Sequence, residues 1–422
     1  MNLPAETSPM REPRPKRARF RPVESDLWSD RRRQPECPTG PAQDAGPETA
    51  LKAVTSAPHR ASPHAPPRAG GRAFTLVELL VSIAVLSIFV LVLSTLSEGT
   101  FRLWRGTASS VRMFDGARAA FDIMGKRLGQ ATLNTYLDYY DASWKRRVPG
   151  NSSFVPAEYA RASDLHFLSG RNALVLGNAT AHPAHGVFFF APLGFTDNSA
   201  AYRDLPNLLN PTAYFVEFGD DAGTQPGFLQ GKLPSRNRYR LVEVVQPSQN
   251  FTAYPKFTDG DDPSNDRDWI TGTGGLAAAT GAKHYLAENV IALVLRPELS
   301  ERDALAISPG SKPWNPILAS NGNYTYDSRA SVAPTANAIT ARQFAQLPPL
   351  LRVVMVAVDE TSAARVANGS TPPAVFDTST LFVDPDQLDA DLALLEQRLA
   401  SNRIRYRVFN TVLPLRGAKW NR

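Results

Sequence analysis

The chain has 422 residues, 43% of them apolar and 20% charged, an ordinary globular balance with material for a sizeable core. Its formal charge of +6 is uneven: the first 73 residues hold thirteen Lys/Arg against eight Asp/Glu, and the remainder is nearly neutral, so charge gives no support to nucleic-acid binding. The one cysteine, Cys37, lies in that same segment, which excludes a disulfide framework and a catalytic cysteine in everything after it.

Residues 1–73 also carry thirteen of the 35 prolines, with basic runs such as Pro15-Lys16-Arg17 and Arg31-Arg32-Arg33 and no apolar periodicity. Such a composition reads as a disordered, solvated leader, expected to be removed. At Phe74 the character changes. Residues 74–96 form 23 positions with a single charge, Glu78. As a helix that run is about 35 Å long, enough to cross a hydrocarbon layer of about 30 Å. Arg68 and Arg72 precede it and Glu98 follows, so the positive-inside rule puts the leader in the cytoplasm and the C-terminal bulk across the membrane. A secretory signal peptide would have a shorter apolar core and a small-x-small cleavage site. A plain anchor helix explains the length and orientation but leaves Glu78 without a reason.

Beyond Gly99 and Gly106, which are expected to loosen the helix at the membrane exit, Phe114, Ala117, Phe121, Met124, Leu128 and Ala131 recur at helical spacing. This predicts an amphipathic continuation over 97–133, whose stripe needs a surface to cover it. The rest, 134–422, reads as a β-rich globular domain. Strands are expected near 187–190, 213–218, 238–245, 290–295, 351–358 and 404–413, forming an antiparallel sheet. One late helix is expected near 386–400, with Asp384 as cap, Pro385 at its first position, and Leu388, Leu392, Leu395 and Leu399 on one face. The stretches 196–212, 258–282 and 298–346 read only as long loops.

Ala73-Phe74-Thr75-Leu76-Val77-Glu78 followed by the apolar run resembles the class III signal of type IV pilins and pseudopilins. The resemblance implies cleavage between Ala73 and Phe74 by prepilin peptidase, N-methylation of Phe74 by the same enzyme, and pairing of Glu78 with the terminal amine of a neighbouring subunit. Ala73 stands where the family most often has Gly. The physics of the pairing is sound, because a carboxylate and an ammonium in hydrocarbon are each costly unless they satisfy one another. Further along, the segments 187–195, 238–243, 286–290, 347–359, 403–409 and 414–420 resemble those of Verru_Chthon cassette protein C, and their order is similar to that of J-type minor pseudopilins. The implied fold is α+β and pilin-like: a long N-terminal helix, half in the membrane and half packed on an antiparallel sheet. The implied role is a minor pseudopilin in a type II secretion or type IV pilus-like filament. Its partners would be prepilin peptidase, other pilins or pseudopilins and inner-membrane lipid, with the globular part periplasmic and at a filament tip.

Other constellations are weaker. His182-Pro183-Ala184-His185 has a proline inside it and no third ligand nearby, so a loop is expected rather than a metal site. The acidic stretch 259–265 is similar to a calcium loop, but Pro263 falls where an EF-hand needs a ligand. No nucleophile elbow, phosphate-cradling loop or zinc-protease motif appears, so neither an enzyme nor a cofactor is expected. The rival reading from another class is a membrane-tethered enzyme or binding module with an ordinary anchor. Because cognate leaders are much shorter than 73 residues, translation is expected to start later, with Val54 read as a GTG codon.

Overall fold

A computed structural model of the chain describes residues 75–422 except 144–145, 148–151, 203–204, 230, 233, 251–266, 273–274, 278–281, 319–322, 330–342, 368 and 420–422. Helix α1 (Leu76–Leu128) runs unbroken for 53 residues, about 80 Å at the usual rise. Gly99 and Gly106, expected to loosen it, leave it continuous. A lone glycine costs only about 1 kcal/mol against alanine, and a long hydrogen-bonded helix propagates through it. The helix ends at Leu128, before Gly129, and not at 133. Ala131 and Leu133 are still buried, but in an irregular stretch where the Thr132 N–H reaches the Phe190 carbonyl at 2.9 Å.

The two halves of α1 meet different surroundings. From Leu76 to Glu98 nothing is buried within the chain. Further on, Ala117, Ala120, Phe121, Met124 and Leu128 are buried while Asp115, Arg118 and Asp122 stay exposed. Covering Met124 and Leu128 contributes about 1.5–3 kcal/mol each by the usual area scale.

What covers them is β-structure. The strands are β1 (Tyr136–Tyr140), β2 (Glu158–Ala162), β3 (Leu168–Arg171), β4 (His185–Pro192), β5 (Leu209–Asp220), β6 (Asn237–Val245), β7 (Lys283–Glu288), β8 (Val290–Glu298), β9 (Tyr326–Asp327), β10 (Leu350–Val358) and β11 (Tyr406–Pro414). They form a six-stranded sheet in the order β7-β6-β5-β4-β3-β9, a three-stranded sheet β11-β10-β8, and the pair β1-β2, all antiparallel. β8 is buried along its whole length against β4, β5 and β6, so the smaller sheet lies over the larger one. That double cover explains the unbroken apolar run 187–191 in β4, where every side chain is buried.

Asn289 makes the corner between the sheets. Its φ of 57° lies in the left-handed region that Asn tolerates, its N–H donates to the Tyr239 carbonyl of β6, and its carbonyl takes the Val358 N–H of β10. Helix α2 (Glu360–Val366) follows β10, with the Asp359 carboxylate accepting the Ser362 N–H at 3.1 Å. Helix α3 (Leu388–Ser401) follows a 3₁₀ turn at Pro385–Gln387, and buries Leu388, Leu395 and Leu399. The whole is an α+β fold with an apolar N-terminal helix and antiparallel sheets.

Candidate processing and assembly segment

Ala73 and Phe74 lie outside the described residues. Glu78 is described, and it sits in the first turn of α1. Thr75 is the N-cap: its hydroxyl accepts the Glu78 N–H at 3.2 Å, and its carbonyl accepts the Leu79 N–H at 3.1 Å. Thr75 and Glu78 have the spacing of a capping box. Only the threonine half is made. The Glu78 carboxylate is exposed and has no partner among the described residues.

The rest of the span hides its polarity. Ser82, Ser87 and Thr100 donate their hydroxyls to the carbonyls of Glu78, Ile83 and Leu96, and Thr95 donates to Val92, at 2.7 to 3.0 Å. Each hydroxyl is thereby satisfied inside its own helix and adds no polar demand on lipid. Residues 76–97 therefore present an apolar surface all round, interrupted by one carboxylate, Glu78, near the N-terminal end.

At the other end α1 is fastened to the sheet. Arg127 pairs with Glu243 of β6, and the Tyr214 hydroxyl of β5 donates to the same carboxylate. Glu243 is 3% exposed and Tyr214 is fully buried. Burial raises the Tyr214 hydroxyl far above its ordinary range, with the neighbouring Glu243 charge adding to the effect, so it remains a donor. Phe121 packs on Phe409 of β11 with ring centroids 5.7 Å apart, and the Asn289 amide lies 3.9 Å from Met113 Sδ.

His185 and His166 are used structurally. His185 is fully buried, its Nδ1 accepts the Leu295 N–H at 3.1 Å, and its Nε2–H donates to the Phe382 carbonyl at 3.0 Å. Both nitrogens are occupied, and burial pushes its pKa down to about 4. His166 takes the Trp269 indole N–H on Nδ1 at 3.0 Å and faces Asp327 through Nε2 at 2.7 Å. An imidazole so placed has no nitrogen free to act as a base. Among the described residues no group of His, Cys, Asp and Glu is arranged to hold a metal ion. The acidic stretch 259–265 lies outside them.

A cleft of about 350 Å³ opens beside α2, lined among others by Phe218, Arg238, Tyr239, Asn289, Glu360 and Phe376. Its charges are paired, with three carboxylates gathered around one guanidinium. Arg238 meets Asp221 at 3.0 Å, Glu288 at 2.8 Å and Glu360 at 3.1 Å, and the Asn289 amide donates to Glu360 at 2.5 Å. This network ties the Asn289 corner to α2. Sequence reasoning missed it, because its members come from four separate segments.

A family model, the prokaryotic N-terminal methylation motif, matches residues 68–94. The match takes in the Ala73-Phe74 junction, Glu78 and most of the apolar span. No curated protein and no solved structure matches the chain. The motif is that of precursors of the type IV pilin and pseudopilin kind, which a peptidase processes and which assemble with other pilins. It coincides with the one helix, among the described residues, that is long and apolar enough to cross a membrane, and the two together point to anchoring by a single span.

Proposed function

We propose that this chain is a minor pseudopilin, a structural and non-enzymatic subunit of a type II secretion or type IV pilus-like filament. Prepilin peptidase cuts between Ala73 and Phe74 and methylates the new terminal amine. The span then holds the subunit in the inner membrane with its globular part in the periplasm, and assembly draws it into a filament, at or near the tip. The reading of the fold as pilin-like rests on α1, whose first half is bare and apolar and whose second half is fastened to antiparallel sheets.

The observation that carries the proposal is Glu78. It is the one charge in the span, it sits in the first turn after the junction, and its carboxylate has no partner within the chain as described. The helix N-terminus favours a negative charge there, but a bare anchor has no need of one. The ammonium of Phe74 on a neighbouring subunit supplies the counter-charge when both enter the apolar bundle.

Glu78→Gln and Glu78→Leu should insert and be cleaved normally, since insertion depends on the apolar run. Incorporation should fail, because an unpaired ammonium in that setting costs on the order of 3–5 kcal/mol, two to three orders of magnitude in docking. Glu78→Asp should fall between. The measurement is crosslinking of each variant to its filament partners at matched membrane level and matched cleavage. Assembly of Glu78→Leu equal to that of the parent would overturn the pairing and leave a tethered module as the reading.

A further inference from the structure

The direction of β11 against α1 locates one end of the globular part. Phe409 packs on Phe121, and a side chain placed at Gly125, one turn further from the span, would touch Leu413 at 3.5 Å. β11 and α1 therefore climb away from the membrane together, and stepping back along β11 from Phe409 brings Arg407 and then Arg405 toward it. The Asn289 corner lies at the same level, beside Met113. The Asn289 carbonyl takes the Val358 N–H, and the Arg405 carbonyl takes the next one, Asp359 N–H, at 2.9 Å. Helix α2 begins there, and its Arg365 donates to the carbonyls of Asn402 and Arg403 at 2.9 and 2.8 Å. Arg365, Arg403, Arg405 and Arg407 thus share the end of the fold that faces the bilayer.

All four are exposed, and none forms an ion pair among the described residues. The acids on this end are held by other groups: Asp221, Glu288 and Glu360 gather around Arg238, Asp359 caps the first turn of α2, and Glu396 accepts from the Tyr406 hydroxyl at 3.3 Å. What remains is a rim of four guanidinium groups outside any ion pair, whose forked donors match phosphate oxygens. The depth of the helix is marked independently. Trp104, 69% exposed on α1 just beyond the span, is of a type that settles in the headgroup layer, and Phe101, 59% exposed, lies one turn nearer the span. From Trp104 to Met113 is about 14 Å of helix. With the globular part on one side of α1, an ordinary lean of about 20° lowers that side, and the arginine stems reach across the remainder.

We infer that Arg365, Arg403, Arg405 and Arg407 bind the phosphate headgroups of an anionic lipid leaflet and hold the globular part down on the membrane. This needs only the single span, not processing or filament assembly.

The test uses the full chain with Cys37→Ser and Ser401→Cys, labelled at residue 401 and reconstituted into vesicles carrying a headgroup quencher. Quenching should be strong in phosphatidylglycerol-rich vesicles and weak in pure phosphatidylcholine. It should also be lost in 1 M salt, where the screening length is about 3 Å. Each arginine at such a surface favours contact about fivefold. Arg405→Gln should lower the docked-to-free ratio by about that factor, and the triple change Arg403→Gln, Arg405→Gln, Arg407→Gln should abolish the quenching with circular dichroism unchanged. Equal quenching in the two lipids, or insensitivity of the parent protein to salt, would overturn the inference. So would a rim that stays unquenched on anionic vesicles and becomes shielded only when a filament partner is added, which would make it a protein interface.

Discussion

Single residues already set firm demands on this fold. Gly417 in the C-terminal tail presses on the irregular stretch that follows α1: a Cβ there would lie 2.8 Å from the Ala131 carbonyl oxygen and 2.9 Å from Leu347 Cδ1. Backbone cannot yield cheaply, so Gly417→Ala should destabilise by roughly 1–3 kcal/mol, seen as a lower denaturant midpoint of the detergent-solubilised protein. His185 gives a pH signature. Its pKa is about 4 in the fold against 6.5 unperturbed, so the unfolded chain binds its proton first as pH falls. Stability is therefore complete above about pH 6.5 and is lost toward pH 4, by about 3 kcal/mol for this group alone. His166 and His182 are lowered too, by burial first, and act in the same direction. Denaturant midpoints at pH 7.5 and 4.5 should differ accordingly, and His185→Gln should reduce the difference. In the sequence His182 and His185 were legible only as poor metal ligands, because the backbone groups that occupy His185, at Leu295 and Phe382, are set by tertiary structure.

Among elements, α1 was the most legible, since an apolar run followed by a three-and-four spacing needs no knowledge of the rest of the chain. Its end was misplaced because Ala131 keeps the stripe in phase while being buried by loop packing and not by helix. The fastening of α1 to the sheet was not legible. Arg127, Tyr214 and Glu243 are far apart in sequence and none stands out alone. Arg127→Ala would leave the Glu243 carboxylate with Tyr214 as its remaining side-chain partner, costing roughly 1–3 kcal/mol. The double change Arg127→Ala with Glu243→Gln should cost less than the sum, and denaturant midpoints of the four proteins check it. Of the strands, β4, β5, β6, β8, β10 and β11 announce themselves by aromatic or β-branched runs. β7, Lys-His-Tyr-Leu-Ala-Glu, is an edge strand exposed on much of its surface, and β3 contains Ser-Gly, so neither carries that signal. β9 has only two residues and is defined by its neighbour β3.

At the scale of the whole molecule, one helix serves two media. Its first half has nothing to pack against among the described residues, and its second half is part of the core. The junction that precedes it is a linear signal, read from adjacent residues and matched by the methylation-motif model. The cleft, the Asn289 corner and the arginine rim are assembled from distant segments and appear only in three dimensions. The central claim is that the mature subunit begins at Phe74, and N-terminal mass spectrometry of the protein extracted from membranes tests it most directly. The expected result is an N-methylated phenylalanine followed by Thr75 and Leu76, in a chain that has lost Cys37 and no longer reacts with thiol reagents. A mature protein that starts anywhere else, or that keeps its leader, would contradict the claim.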